Sequence, residues 1–253
     1  MPDLTIRPLN LGVLHGLEKS AFLLHRHQGE KFDAPCIAWL IHGASCNVLV
    51  DAGPCDPATA AAQYQRDLRR TPDQELPAAV RRGGITAADV DLVILTHLHW
   101  DHSYNLEHMT KATILVQKEE AQYAVAPLPT DRRFYGLAFR GFRPGWFAAF
   151  DRFELVEGDK EVLPGVAVYL LPGHTPGSQG VGVETRAGTY LIAGDNVPLF
   201  DNWKGDEHLR RIPSALHVDL ESYFRSFEKM EKIARHILPS HDVRVFEHDL
   251  YPF

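Results

Sequence analysis

The sequence has few cysteines, three in 253 residues, odd in number and with no CxxC spacing, which argues against a disulfide framework. Cys36, Cys46 and Cys55 are therefore expected as reduced, mostly buried thiols, since free cysteine behaves as a small hydrophobe. Long apolar runs are missing too. None approaches the ~20 residues that span a bilayer, so no membrane partner is expected. The start, Met1-Pro2-Asp3-Leu4-Thr5-Ile6-Arg7-Pro8, lacks a basic head followed by an apolar stretch. No signal peptide is read there, and a cytoplasmic location is the expectation. A basic excess is absent as well: 26 Lys and Arg face 33 Asp and Glu, for a formal charge of -7. Nucleic acid is thereby a poor partner, and a small-molecule substrate is expected instead. No internal repeat, low-complexity tract or charge run divides the chain, which reads as one domain over residues 1–253, with a homodimer compatible.

What the chain has in abundance is histidine, fourteen in all. His25, His27, His108, His208, His236 and His248 sit singly in polar surroundings and read as surface residues, while His15, His42 and His217 are less easily placed. The others cluster. They do so within a recurring pattern, in which a short run rich in Val, Ile and Leu ends in a turn carrying Asp or His. The runs are Asn47–Val50 before Asp51, Leu92–Leu95 before His97, Val166–Leu171 before His174, Tyr190–Ala193 before Asp195, and Ile237–Leu238 before His241. Such runs, bounded by Gly and Pro, predict buried strands. Side chains at the ends of adjacent strands converge on one sheet edge, where a pocket forms.

Helical stretches lie between them. Ala58–Arg70 is alanine-rich without Gly or Pro and predicts a helix. Asp219–His236 opens on a capping Asp219 and places Leu220, Tyr223, Phe224, Phe227, Met230 and Ile233 on one stripe. That stripe is core packing. Strands covered by helices make the chain an α/β protein.

The run His97-Leu98-His99-Trp100-Asp101-His102 carries the chemistry. In an extended segment residues two apart face the same way, so His97 and His99 can grip one ion. Asp101 and His102 can face a second. Imidazole nitrogen and carboxylate oxygen suit zinc, with manganese, iron or cobalt as alternatives. His174 in a stiff Pro-Gly-His-Thr-Pro-Gly turn, Asp195 after Gly194, and His241 in Pro-Ser-His-Asp complete the set. Two ions about 3.5–4 Å apart, sharing a water, would lower its pKa toward neutrality and generate hydroxide.

In this order, from Asp51 to His241, the motifs resemble the metallo-β-lactamase superfamily. The resemblance implies an αββα sandwich of two mixed sheets, with the ions at the strand-end edge between them. It implies His97, His99 and His174 on the first ion, and Asp101, His102 and His241 on the second, with Asp195 bridging. It gives Asp51 a supporting place behind the ligands. Within the superfamily the chain is most similar to N-acyl homoserine lactonases and related lactone hydrolases, which implies a lactone substrate, two zinc ions, and Asp101 as a proton donor to the leaving alkoxide. A glyoxalase II-like thioesterase and an iron-dependent persulfide dioxygenase-like oxidoreductase are the alternatives. One motif departs from the lactonases: three residues past Asp195, where many carry a tyrosine, stands Pro198. Tyr104 or His217 is expected to take its place. The aromatic stretch Phe134–Phe150, with Phe139 and Trp146, and the pair Phe200 and Trp203 soon after Asp195 are expected to supply the apolar surface of the pocket.

Overall fold

The computed structural model describes residues 3–137 and 141–253. Met1, Pro2 and Phe139, named above, lie outside the described residues. The chain lays down two facing sheets. The larger contains β1 (Thr5–Glu18), β2 (Lys31–His42), β3 (Val48–Val50), β4 (Leu68–Arg69), β5 (Leu92–Ile94), β6 (Thr113–Gln117) and β7 (Phe153–Val156), ordered β4-β1-β2-β3-β5-β6-β7. The smaller contains β8 (Lys160–Leu163), β9 (Val166–Leu170), β10 (Gln179–Thr185), β11 (Gly188–Ile192) and β12 (His236–Leu238), ordered β12-β11-β10-β9-β8. Both are mixed. From β3 through β7 the neighbours run parallel, and β11 pairs in parallel with β12, while the remaining pairs are antiparallel.

Strand alternation sorts the core into layers. Val48, Val50, Leu92 and Ile94 point between the sheets, where they meet Val181, Val183, Ile192 and Leu238 of the smaller sheet. Leu49 and Val93 point the other way and pack under Leu76, Ala79 and Val80 of a helix spanning Leu76–Arg82. On the outer face of the smaller sheet, Leu191 and Ile237 are covered by Tyr223, Phe227 and Met230 of the helix Leu220–Ile233. Of the predicted stripe Tyr223, Phe227 and Met230 are core, whereas Leu220 and Phe224 are exposed and the helix ends at Ile233, before His236 enters β12; Asp219 caps it by accepting from the Ser222 N–H at 3.1 Å. Helix, sheet, sheet, helix is the αββα order. Among the described residues no helix is long and apolar enough to cross a membrane. The cysteines are free, with Cys36 and Cys55 buried and Cys46 partly so.

One predicted element is corrected. Ala58–Arg70 is not a single helix. A short helix, Pro57–Thr59, runs into a π-helical turn over Ala60–Tyr64 and stops where Gln65 takes a left-handed conformation (φ 54°). The chain then re-enters the larger sheet, because Leu68 pairs opposite Leu14 of β1 and buries its side chain. A tertiary pairing here overrides the local helical propensity.

Candidate metal centre

All five predicted strand ends reach one place, but they come from two sheets. β3 and β5 deliver Asp51 and the His97 run, while β9, β11 and β12 deliver His174, Asp195 and His241. Past β5 the chain keeps an alternation of side chains. Leu98 and Trp100 enter apolar clusters, and His97 and His99 turn to the opposite side. The Ser103 hydroxyl then closes the loop by donating to the Leu98 and His99 carbonyls at 3.2 and 2.9 Å.

The seven side chains form two sets, His97, His99, His174 and Asp195 in one, and Asp101, His102 and His241 in the other. Within each, the ligand atoms lie within 4.8 Å of one another. Asp195 touches both. Its Oδ1 lies 3.2 Å from Nε2 of His102 and 3.2 Å from Nε2 of His241, and its Oδ2 lies 3.5 Å from Nε2 of His174 and 3.9 Å from Nε2 of His97. The donor set suits a divalent cation. The Nε2 atoms of His97, His99 and His102 are buried with no hydrogen-bond partner. Each such orphan costs about 1–3 kcal/mol, which coordination would remove at His97 and His102; at His99 it is Nδ1 that faces the set, 3.1 Å from Nε2 of His174.

Electrostatics point the same way. Burial, reinforced by neighbouring imidazoles, holds His97 and His99 well below the ordinary histidine range, so their lone pairs stay free. Burial opposes a charge on His102 and His241 as well. There Asp195 and Asp101, joined at His102 by Asp51, together outweigh it and raise both. Burial would raise Asp195, but His241 and His102 bring it well below the usual carboxylate range. One set thus offers neutral nitrogens, and the other balances a carboxylate with protons that a bound cation would displace.

Three of the rings are aimed by their other nitrogen. Nδ1 of His174 donates to the Leu216 carbonyl at 2.7 Å, and Nδ1 of His241 to the Pro35 carbonyl at 2.9 Å. Nδ1 of His102 donates to Asp51 Oδ2 at 2.8 Å. Asp51 also accepts from the Thr96 N–H at 2.8 Å and the Thr96 hydroxyl at 2.9 Å, so one carboxylate ties β3 to the ligand loop. Such partners fix tautomer and direction. Ser240 holds Asp195 by donating to Oδ1 at 2.7 Å. Gly194 brings Asp195 up against the loop. Its φ is +53°, and a Cβ there would stand 2.8 Å from Cβ of Thr96.

Sequence reasoning missed Glu120, on the helix Lys118–Val125 that follows β6. Its carboxylate is fully buried and accepts from the Leu98 N–H at 2.9 Å, the Tyr135 hydroxyl at 2.8 Å and the Thr175 hydroxyl. It therefore joins the His97 loop to the His174 turn. Gly177 makes this approach possible, since a Cβ there would lie 2.1 Å from the Glu120 nitrogen. A lone Glu in a polar Lys-Glu-Glu stretch carries no signal of burial; only the fold reveals it.

A cavity of about 270 Å³ opens onto the centre, with His99, Asp101, Asp195 and His241 in its wall. Its apolar surface comes from Leu14, Leu17, Phe22, Trp100, Phe134 and Leu216. The predicted aromatic residues are corrected accordingly. Phe200 and Trp203 line a different cavity, with Tyr190, His236 and Tyr251, that touches none of the seven ligands. The helix Phe200–Lys204 turns them away, and Trp203 lies beneath the Arg211 guanidinium at 4.0 Å. Trp146 is buried in the core beside the larger sheet. Tyr104 packs behind Trp100 in another apolar cluster, and its hydroxyl meets that of Tyr64 at 3.1 Å rather than the cavity. His217 does reach the centre: it lines an adjoining cavity with His99, His174 and Phe134.

The chain is similar to known proteins over most of its length. Residues 33–241 match the metallo-beta-lactamase superfamily domain. N-acyl homoserine lactonase AiiA of Bacillus thuringiensis subsp. kurstaki is 24% identical over 231 residues, covering 88% of this chain and 84% of its own. N-acyl homoserine lactonase AiiB of Agrobacterium fabrum is 27% identical over 175 residues, covering 64% and 63%. Among solved structures, an N-acyl homoserine lactone hydrolase with N-hexanoyl-L-homoserine bound at its catalytic metal centre superposes with a TM-score of 0.77 at 23% identity, covering 98% and 96% of the two chains. AidC, a dizinc quorum-quenching lactonase, superposes at 0.71 with 16% identity, covering 96% and 89%. With a matching domain over most of its length and these relatives, the chain belongs to the metallo-beta-lactamase superfamily, as a metal-dependent hydrolase related to the N-acyl homoserine lactonases.

Proposed function

We propose that this chain is a dinuclear metal hydrolase that opens a lactone, an N-acyl homoserine lactone or a related cyclic ester. One observation carries the reading: the Asp195 carboxylate lies between two complete ligand sets, with Oδ1 3.2 Å from His102 and His241 and Oδ2 3.5 Å from His174. His97, His99 and His174 would hold one ion, Asp101, His102 and His241 the other, and Asp195 both. Two zinc ions, or manganese, iron or cobalt in their place, supply Lewis acidity toward a carbonyl and a nucleophilic water at neutral pH. Oxidation at a single iron would leave the Asp101, His102 and His241 set without a task.

The chain's own residues then orient the ester. Asp101 has the most accessible side chain of the seven, 15% exposed, and faces the cavity, with Oδ2 3.8 Å from Nε2 of His241. From there it would take the proton given up by the attacking water and return it to the alkoxide oxygen released by ring opening. Phe22, Trp100 and Phe134 exclude water and cover the apolar part of the substrate. His217 takes a role set by its tautomer. Its Nδ1 donates to the Ser214 carbonyl at 2.8 Å, which leaves Nε2 an acceptor. An acceptor suits the N–H of an acylamino substituent, not the carbonyl oxygen that a tyrosine hydroxyl would address.

The test is hydrolysis of lactones, thioesters, phosphodiesters and β-lactams by zinc-, manganese- and iron-loaded protein, with metal counted in each preparation. Turnover of a lactone with about two ions per chain is expected. Asp195→Asn should lower the metal content and abolish turnover; normal activity with full metal would sink the bridging assignment.

A further inference from the structure

The cavity wall carries two guanidiniums without a carboxylate partner: Arg66 meets only the Gln65 carbonyl, at 3.4 Å, and Arg133 the face of the Phe134 ring. Arg66 and Arg133 both line the cavity that holds His99, Asp101, Asp195 and His241. Neither has a carboxylate within 4.0 Å among the described residues, and unlike other such arginines both stand in the wall of the cavity that holds the ligands. The acidic groups on the two adjoining walls are already committed. Glu18 pairs with Lys31 at 2.7 Å, Asp131 accepts from the Tyr123 hydroxyl at 2.6 Å, and Asp101 and Asp195 belong to the ligand sets.

The two cations are also set against each other. Burial, and then the charge of Arg133, lower the hold of Arg66 on its proton, and the Asp101 carboxylate restores part of it. Arg133 is kept in place by its neighbour, with its guanidinium 4.6 Å from the centre of the Phe134 ring, itself part of the cavity wall. Two like charges on one cavity wall, with Arg66 half-buried, favour an anion in the space they share. Guanidiniums present planar, paired donors, the geometry that a carboxylate fits.

We propose that the substrate carries a carboxylate remote from the scissile ester, held at the cavity by Arg66 and Arg133. The inference rests on the reading of this cavity as a hydrolase active site. It makes the two arginines determinants of specificity, acting on binding and leaving the bond-breaking step to the metal centre. A neutral acyl chain of the same length would occupy the apolar wall and leave both cations unmet.

A matched pair of substrates tests this with the full-length zinc-loaded protein: N-succinyl homoserine lactone, which ends in a carboxylate, and its counterpart ending in a primary amide. The wild type should show kcat/KM about tenfold or more higher for the carboxylate, the range of a charge-assisted hydrogen bond. Arg66→Ala and Arg133→Ala should each bring that ratio toward one, and Arg66→Lys should retain part of it. Equal kcat/KM values for the pair in the wild type would overturn the inference while leaving lactone hydrolysis intact. The same acyl pair as thioesters separates the opposite case: a carboxylate preference there, with no lactone cleaved, upholds the inference and overturns the lactone reading. If neither series turns over, calorimetric binding of the two ring-opened products decides, and equal affinities reject the arginine site.

Discussion

At the scale of single residues, the centre depends as much on what stands behind the ligands as on the ligands. Asp51 accepts from three donors, the Thr96 N–H, the Thr96 hydroxyl and His102 Nδ1, while holding a left-handed backbone at φ +59°. Asn tolerates that conformation, so Asp51→Asn changes the charge without breaking the turn. The variant should keep its fold and lose metal affinity by about 10–100-fold, the usual effect of removing a partner behind a ligand. Metal retained after dialysis against a weak chelator, with circular dichroism as control, is the measurement; unchanged retention would remove Asp51 from this role. Glu120 is the second such residue. Gln keeps its shape but turns one acceptor oxygen into a donor facing the Leu98 N–H, the Tyr135 hydroxyl or the Thr175 hydroxyl. Glu120→Gln should therefore cost about 1–3 kcal/mol of stability, read from denaturant midpoints, because a buried donor faces a donor.

At the scale of elements, the close seating of the His174 turn on the Lys118–Val125 helix explains why Gly177 has no side chain. Gly177→Ala would bring a Cβ to 2.1 Å from the Glu120 backbone nitrogen and must push the turn outward. A loss of about 1–3 kcal/mol is expected from such overpacking, with a fall in metal content because His174 moves with the turn. An alanine variant with the stability and metal of the wild type would show that the turn floats free of the helix. The elements also show where sequence reading succeeds. Apolar runs ending in Asp or His identify β3, β5, β9, β11 and β12; β3 and β5 are inner strands buried on both faces and so continuously apolar, whereas β9 is half-buried and β12 is an edge. β1 escapes it, while β2 fits it in residues 36–41 before His42 but opens on the polar stretch Lys31-Phe32-Asp33. β1 mixes Pro8, Asn10, Gly12 and Gly16 into fourteen residues and shifts register twice against β2, so it shows neither a run nor an alternation. These two strands bring Leu14, Leu17 and Lys31 to the cavity, and its wall was hidden with them. Phe200 and Trp203 mislead for another reason. Nearness in sequence to Asp195 sets how far a side chain can be from the centre, but the helix that carries it sets the direction.

At the scale of the whole molecule, the seven ligand side chains span both sheets. The His97 run belongs to the larger, while His174, Asp195 and His241 come from the smaller. The Nδ1 bond from His241 to Pro35 is one strap across that seam, and Thr96 adds another by accepting from the Gln179 N–H at 2.9 Å. Between the straps lie the orphaned imidazole nitrogens of His97 and His102 and the buried carboxylate of Asp195. Cations bound there would join the sheets at the edge where the inter-sheet core ends, and would bind the folded chain alone, since the unfolded chain does not bring the ligands together. Binding of that kind stabilises by RT ln(1 + [L]/Kd), about 2.7 kcal/mol per site when free metal is a hundred times Kd. For a chain of this length about 1 kcal/mol moves the melting temperature by roughly 2–4 °C, so filling one site should raise it by about 5–10 °C. Thermal unfolding after chelation, and again after titration with zinc, measures this. Two steps should appear in the rise of the melting temperature if the two sets fill in succession. In Asp195→Asn both should shrink together, since that carboxylate lies against both sets, whereas loss of His241 should remove one step and keep the other. An unchanged melting temperature after chelation would show that the sheets are held by their apolar interface alone.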